Sequence, residues 1–346
     1  MKTPRFLCWF AAFAMGACLA SASPKAGESP ADHLPANIVQ LTHFGERADW
    51  SADGKKILFL SKTFGDAMEM DLATRTIRNL TAFFPHHGFT RALYLSNGDI
   101  LLVGPQEFDT KNPGQARWDC FLYVMDQSGK KPPVPLGPRI NEGPAVSRRK
   151  LHIAWAEWSH ATAATQGNAG SKLYEADIIY KNGVPELGEK RLVLDSADLP
   201  FPCTIEPQNF RAPDEKELTF SAYGKAGGKC DVCGVDLATK KITKYTDTPD
   251  VYDEPEGIFP DGSATLVECD EQNRKGPGSI DLWKLSLDGS GHYTRLTYFS
   301  DYPGYKASNP VVSDDGHYIA FQMGQTGEAA GVGHGLFLYD LKAAAR

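Results

Sequence analysis

Asp49-Trp50-Ser51-Ala52-Asp53-Gly54-Lys55-Lys56-Ile57-Leu58-Phe59 is the stretch on which the fold reading rests, because it is the first copy of a pattern that returns along the chain. An apolar approach strand meets an Asp-Gly turn, and a second apolar strand leaves it. Glycine suits that turn because it accepts the positive φ the reversal demands. The turn recurs as Ser96-Asn97-Gly98, Pro260-Asp261-Gly262 and Asp314-Asp315-Gly316, with degenerate versions at Arg148-Arg149 and Pro213-Asp214-Glu215. That makes six copies.

Two further elements repeat in step with the turn. An alternating strand often ending in Asp appears as Leu122-Tyr123-Val124-Met125-Asp126, Leu173-Tyr174-Glu175-Ala176-Asp177, Leu282-Trp283-Lys284-Leu285 and Leu336-Phe337-Leu338-Tyr339-Asp340. A short outer strand ending in Leu-Thr or its like appears as Gln40-Leu41-Thr42, Asn79-Leu80-Thr81, Arg191-Leu192-Val193, Lys244-Tyr245-Thr246 and Arg295-Leu296-Thr297, with a poorer copy at Val134-Pro135-Leu136. Self-similarity at this period is the mark of a repeat architecture. An outer strand stands before the first inner strand, and the chain ends on a third strand. The expectation is therefore an all-β, six-bladed propeller over residues 37–346, closed by the N-terminal strand completing the last blade, which removes exposed sheet edges.

The residues ahead of the propeller set the compartment. Lys2 and Arg5 precede an apolar run from Phe6 to Ala14, too short to span a bilayer, and Ala20-Ser21-Ala22 offers a small-x-small cleavage pattern. A cleaved signal peptide over 1–22, a linker over 23–36 and a periplasmic or secreted protein are expected. A lipoprotein cut at Cys18 is the rival reading, with Met15 a poor match for the branched residue usual there. The net charge of −7 argues against nucleic acid as a partner. No later stretch is long and apolar enough for a membrane span, and a monomer is expected. Five cysteines follow the signal, and Cys230-x-x-Cys233 falls in a strand of the repeat, where positions i and i+3 point to opposite faces and make no local bridge. No second pair completes a zinc site.

The Asp49–Ile57 segment resembles the W-S-P-D-G-K-x-I signature of TolB-type propellers, and the Leu-Thr outer strands and the Tyr123-Val124-Met125-Asp126 segment resemble that family too. The resemblance spans nearly the whole mature chain and implies a WD40-like ring of blades. TolB also carries an N-terminal domain for which this chain has no room.

Propeller geometry then ranks the loops. The Asp-Gly turns share one face, and the long loops 104–117, 158–172, 270–279 and 323–335 share the other with the crossovers, where function usually concentrates. Four blades place a glutamate at the crossover: Glu46, Glu142, Glu206 and Glu254, with Thr90 and Ser308 at the equivalent positions. These should ring the channel mouth, where converging carboxylates repel, raise their pKa values or hold a cation; Arg47 and Arg91 stand one step on and can pair with them. Trp158 can stack on a sugar ring. His86, His87 and His334 lie on the same face, with His43 and His160, and are candidate ligands of a divalent cation, Ca or Mn. In outline this is similar to oligogalacturonate lyases, whose histidine-rich mouth carries a metal, although Ala307-Ser308-Asn309-Pro310 stands where their His-x-His grouping would be. No nucleophile elbow, P-loop or dinucleotide fingerprint occurs. The leading expectation is a non-catalytic propeller gripping an envelope protein or saccharide over its mouth. The alternative is a metal-dependent enzyme on acidic oligosaccharides.

Overall fold

The computed structural model describes residues 24 and 27–344, apart from 142, 160–169, 225–228, 249 and 329–330. The expected signal peptide, Cys18, Glu142 and His160 lie outside the described residues. Six antiparallel sheets form the molecule, five of them from consecutive segments of chain. Blade one runs Glu46–Trp50, Lys56–Leu60, Ala67–Asp71, Ile77–Asn79, and blade two runs Arg91–Tyr94, Ile100–Pro105, Cys120–Met125, Val134–Ile140. Blade three runs Ala145–Val146, His152–Trp158, Ser171–Lys181, Arg191–Asp195, with an added strand, Val184–Leu187, on the far end of its long third strand. Blade four runs Thr204–Phe210, Glu217–Tyr223, Cys230–Asp236, Ile242–Lys244, and blade five runs Asp253–Ile258, Ala264–Cys269, Asp281–Ser286, Tyr293–Arg295.

Blade six closes the ring. Its strands Tyr305–Val312, Tyr318–Gln325 and Leu336–Asp340 come from the C-terminal end, and Ile38–Gln40 adds the fourth, with Ile38 opposite Tyr339 and Gln40 opposite Phe337. The expected six-bladed, terminally closed propeller is the observed fold. Pro30–His33, within the stretch expected as a linker, forms a 3₁₀ turn, and Ala31 and Leu34 pack against the core of blades five and six.

The apolar residues are spent between the blades. Leu58 and Leu60 of blade one meet Ala92 and Leu102 of blade two, while Trp50 and Phe59 on the other side meet Ala320 and Leu336 of blade six. Each blade thus buries both faces against neighbours, which is why its central strands read as nearly continuous apolar runs. The Leu-Thr repeat has a polar logic. Thr297 Oγ1 accepts from the Leu282 N–H at 2.9 Å and donates to Asp281 Oδ1 at 2.8 Å; Thr81 makes the same pair of bonds with Ala67 and Asp66. The threonine therefore locks the outer strand to the start of the third. All five downstream cysteines are buried and unpaired.

Candidate functional site

The crossover residues Glu46, Glu206, Glu254 and Ser308 sit toward the mouth ends of the inner strands and border one cavity of about 390 Å³. Bulges shape this rim: register shifts interrupt the inner strands between Glu46 and Asp49, Pro207 and Asn209, Pro255 and Gly257, and Ser308 and Val311. An extra residue on the bulged strand re-aims side chains out of the ladder and into the channel. Arg47 occupies the left-handed region at φ 56°, and its N–H donates to Gln322 Oε1 of blade six at 2.6 Å. Its guanidinium donates to the Thr90 carbonyl of blade two at 3.0 Å and lies 3.6 Å from the Glu46 carboxylate. Glu46 also accepts from the Thr63 hydroxyl, and burial raises its pKa above the usual range.

Blades four and five make an acidic wall. Glu206, Glu254, Glu256 and Glu268 all border the cavity. Glu254 and Glu256 are two apart on one strand, and Glu268 faces Glu254 across the ladder. Tyr252 and Tyr223 each donate to an oxygen of Glu254, and Tyr223 also approaches Glu206 at 3.3 Å. Burial, then the negative charge of Glu254, pushes Glu206 up to about 8 and Glu268 up to about 7. The same two causes raise Glu256. These shifts arise because charge there is neither hydrated nor fully matched.

Blades one and two, opposite in a six-membered ring, make a basic wall of Arg47, Arg91 and Arg117, and Lys306 joins from blade six. Arg117 rides on the 3₁₀ turn Pro113–Trp118 in the long loop of blade two. Burial, then the charge of Arg91, holds its pKa below the usual arginine range. The next residue, Trp118, is half-buried and packs on Trp158 with ring centroids 5.2 Å apart. Trp158 itself is buried, wedged between Trp118 and Tyr223 and tied through Nε1 to the Ile205 carbonyl at 3.1 Å. It supports the wall, and Trp118 presents the ring. Below the mouth the channel continues past Arg91, Glu256 and Asn309 to Arg148, which bonds Asp49 at 2.5 Å and the Trp50 carbonyl at 3.2 Å.

The structure thus brings Glu46, Arg47, Arg91, Glu206, Glu254 and Trp158 to one cavity. Among the described residues, His86, His87 and His334 are not gathered into a ligand set. His86 bonds Asp66 at 3.0 Å, His334 bonds Glu328 at 2.5 Å, and His87 is exposed. Among the described residues, the group whose donor atoms converge as metal ligands would is Glu254, Glu256 and Glu268. Sequence reasoning missed Glu256, Glu268, Arg117 and Lys306. A glutamate inside the apolar strand Ala264–Cys269 was the available signal for one of them.

No protein-family model matches the chain, and no curated protein matches it in sequence. Solved structures do match. A gluconolactonase from Xanthomonas campestris superposes with a TM-score of 0.55 at 13% identity, over 88% of each chain. An oligogalacturonate lyase from Vibrio parahaemolyticus does so at 0.51 and 11% identity, over 89% of this chain and 94% of that one. The likeness is one of fold. TolB from Acinetobacter baumannii, at 18% identity and a TM-score of 0.44, shares 86% of this chain and 66% of its own. The chain is a β-propeller, and the neighbours carry no residue of its mouth into a role.

Proposed function

We propose that this is an exported binding propeller whose channel mouth takes up an acidic saccharide of one or two rings. The observation that carries the reading is the polarity of the cavity: Arg91 and Arg117 stand together on one side, and Glu206, Glu254, Glu256 and Glu268 face them. Two neighbouring guanidiniums repel, and a carboxylate placed between them relieves that repulsion with planar, two-pronged hydrogen bonds. Sugar hydroxyls on the far side donate to the carboxylates, and Trp118 offers a face for the ring. A cavity near 390 Å³ lies in the range of small-molecule sites and is too small for a folded partner to enter. Export rests on the N-terminal sequence alone, and a place in the cell envelope or outside the cell would put the mouth where such saccharides occur.

Calorimetric titration with galacturonate and glucuronate, their dimers and matched neutral sugars tests the reading. Acidic sugars should bind, and Arg91→Gln and Arg117→Gln should each weaken them about tenfold, the loss of one charge-assisted contact. Equal binding of neutral sugars, or unchanged binding in folded arginine variants, would refute it. One observation favours a catalytic second reading: Glu206, held near pH 8, is a carboxyl suited to proton transfer at neutrality. Its test is release of unsaturated uronates or hydrolysis of sugar lactones, lost in Glu206→Gln.

A further inference from the structure

We propose that the blade-five corner of the mouth is a calcium site, formed by Glu254, Glu256 and Glu268 with the hydroxyl of Ser308. One oxygen from each carboxylate lies within 4.8 Å of the others. Three atoms no farther apart than that share a centre at most about 2.8 Å from each, compatible with the 2.3–2.6 Å of calcium–oxygen bonds, and a set of protein oxygens suits calcium better than magnesium, which usually keeps several of its waters. The donors are all hard oxygens, which disfavours zinc and copper.

A cluster of acids alone would say little; Ser308 is the second, independent observation. It is only 3% exposed, it borders the same cavity, and its Oγ has no hydrogen-bond partner among the described residues. A buried hydroxyl without a partner costs roughly 1–3 kcal/mol, and a cation beside it removes that cost. The adjacent Asn309 orients the set. Held at φ 48°, it donates its backbone N–H to Glu268 Oε1 at 2.5 Å and its side-chain amide to Glu256 Oε1 at 3.0 Å. Each of those carboxylates is thereby fixed through one oxygen, with the other left for a ligand. The ammonium of Lys306 is directed to the Pro277 carbonyl at 3.2 Å and does not bond any member of the trio.

The site goes beyond the saccharide reading and is tested without any saccharide, so the two can fail separately. Chelator-treated protein is titrated with calcium chloride in a calorimeter, and its melting temperature is followed with calcium, magnesium or spermidine added. One calcium per chain, with a dissociation constant below about 1 mM and a rise of several degrees in melting temperature, is expected. Glu268→Gln should weaken calcium more than about tenfold, and Ser308→Ala a few-fold, while Glu186→Gln on an exposed hairpin of blade three leaves it unchanged. Circular dichroism confirms that each variant is folded; Glu256→Gln serves if Glu268→Gln is not. No calcium uptake, uptake indifferent to both glutamate variants, or a response to spermidine that matches calcium would each overturn the proposal.

Discussion

Replacing Glu206 by Gln should make the protein more stable as the pH rises, relative to the parent. Burial and the nearby Glu254 charge lift this carboxyl from 4.5 to about 8 in the folded state. The sign follows from linkage: a folded-state pKa above the unfolded one contributes stability that is complete below pH 4.5 and is lost progressively up to about pH 8. The gap corresponds to about 5 kcal/mol at about 1.4 kcal/mol per pH unit, an upper figure because neighbouring carboxyls titrate with it. Glutamine keeps the shape and an oxygen to accept from the Tyr223 hydroxyl, so the substitution removes the charge and little else. Between pH 5 and pH 8 about 3.5 kcal/mol of this is lost; for a chain of this size 1 kcal/mol shifts the melting temperature by about 2 °C, so the advantage of Glu206→Gln should be up to about 7 °C greater at pH 8 than at pH 5. The assay is thermal melting by circular dichroism in chelator, across that pH range. Parallel profiles for parent and variant would show that Glu206 ionises as freely as an exposed carboxyl, and the account of the acidic wall would fall with it.

Other expectations concern the frame that holds the mouth. Arg148→Ala strips the ion pair from Asp49, which is 1% exposed, while the arginine is about one-third exposed; a loss of about 2–3 kcal/mol is expected by urea denaturation, and a loss under 0.5 kcal/mol would mean water already serves Asp49. Thr297→Val keeps the volume but removes the acceptor for Leu282 N–H and the donor to Asp281, and should cost about 1–3 kcal/mol in the same experiment. Gly88→Ala places a methyl 2.0 Å from the Phe64 carbonyl at a φ of 85°, so the soluble yield and melting temperature should fall sharply, whereas the same change at Gly114, with open space around it, should be neutral.

Most of the architecture could be read in the chain because each blade needs the same local chemistry. An Asp-Gly reversal, alternating burial and a threonine that bonds the start of the third strand are short-range demands, so they leave repeated letters. The crossover ring could be read for the same reason, since Glu46, Glu206 and Glu254 occupy one phase of the repeat. What the repeat could not reveal is which side chains meet across the channel. Glu268 pairs with Glu254 by hairpin symmetry about Asp261, and Glu256 follows at the strand period of two, so both were within reach of arithmetic on the turn. Arg117 was not, because a long irregular loop between strands places it. The histidines show the opposite failure: shared loops and a shared face do not imply contact, and His86 and His334 instead settle on the nearest carboxylates, Asp66 and Glu328.

Blade five departs from its sister blades at the mouth in a way that supports the proposed reading. The second-strand residue that faces a mouth-lining residue is Leu60 opposite Glu46 in blade one, Val103 opposite Arg91 in blade two, Ser221 opposite Glu206 in blade four and Gln322 opposite Ser308 in blade six, all neutral. In blade five it is Glu268, buried and opposite another glutamate. The fold is satisfied at that place by a leucine, and like charges facing each other across a ladder are destabilising. A residue that works against stability where four sister blades avoid the cost marks a place where the chain serves something other than its own packing. The opposite wall says the same with the other sign, since burial and a neighbouring guanidinium both work against the charge on Arg117. The two walls offset each other in part, since Arg91 and Arg117 act on Glu206 across the channel, and under the proposed reading an anionic saccharide resting on a bound cation would add to that balance.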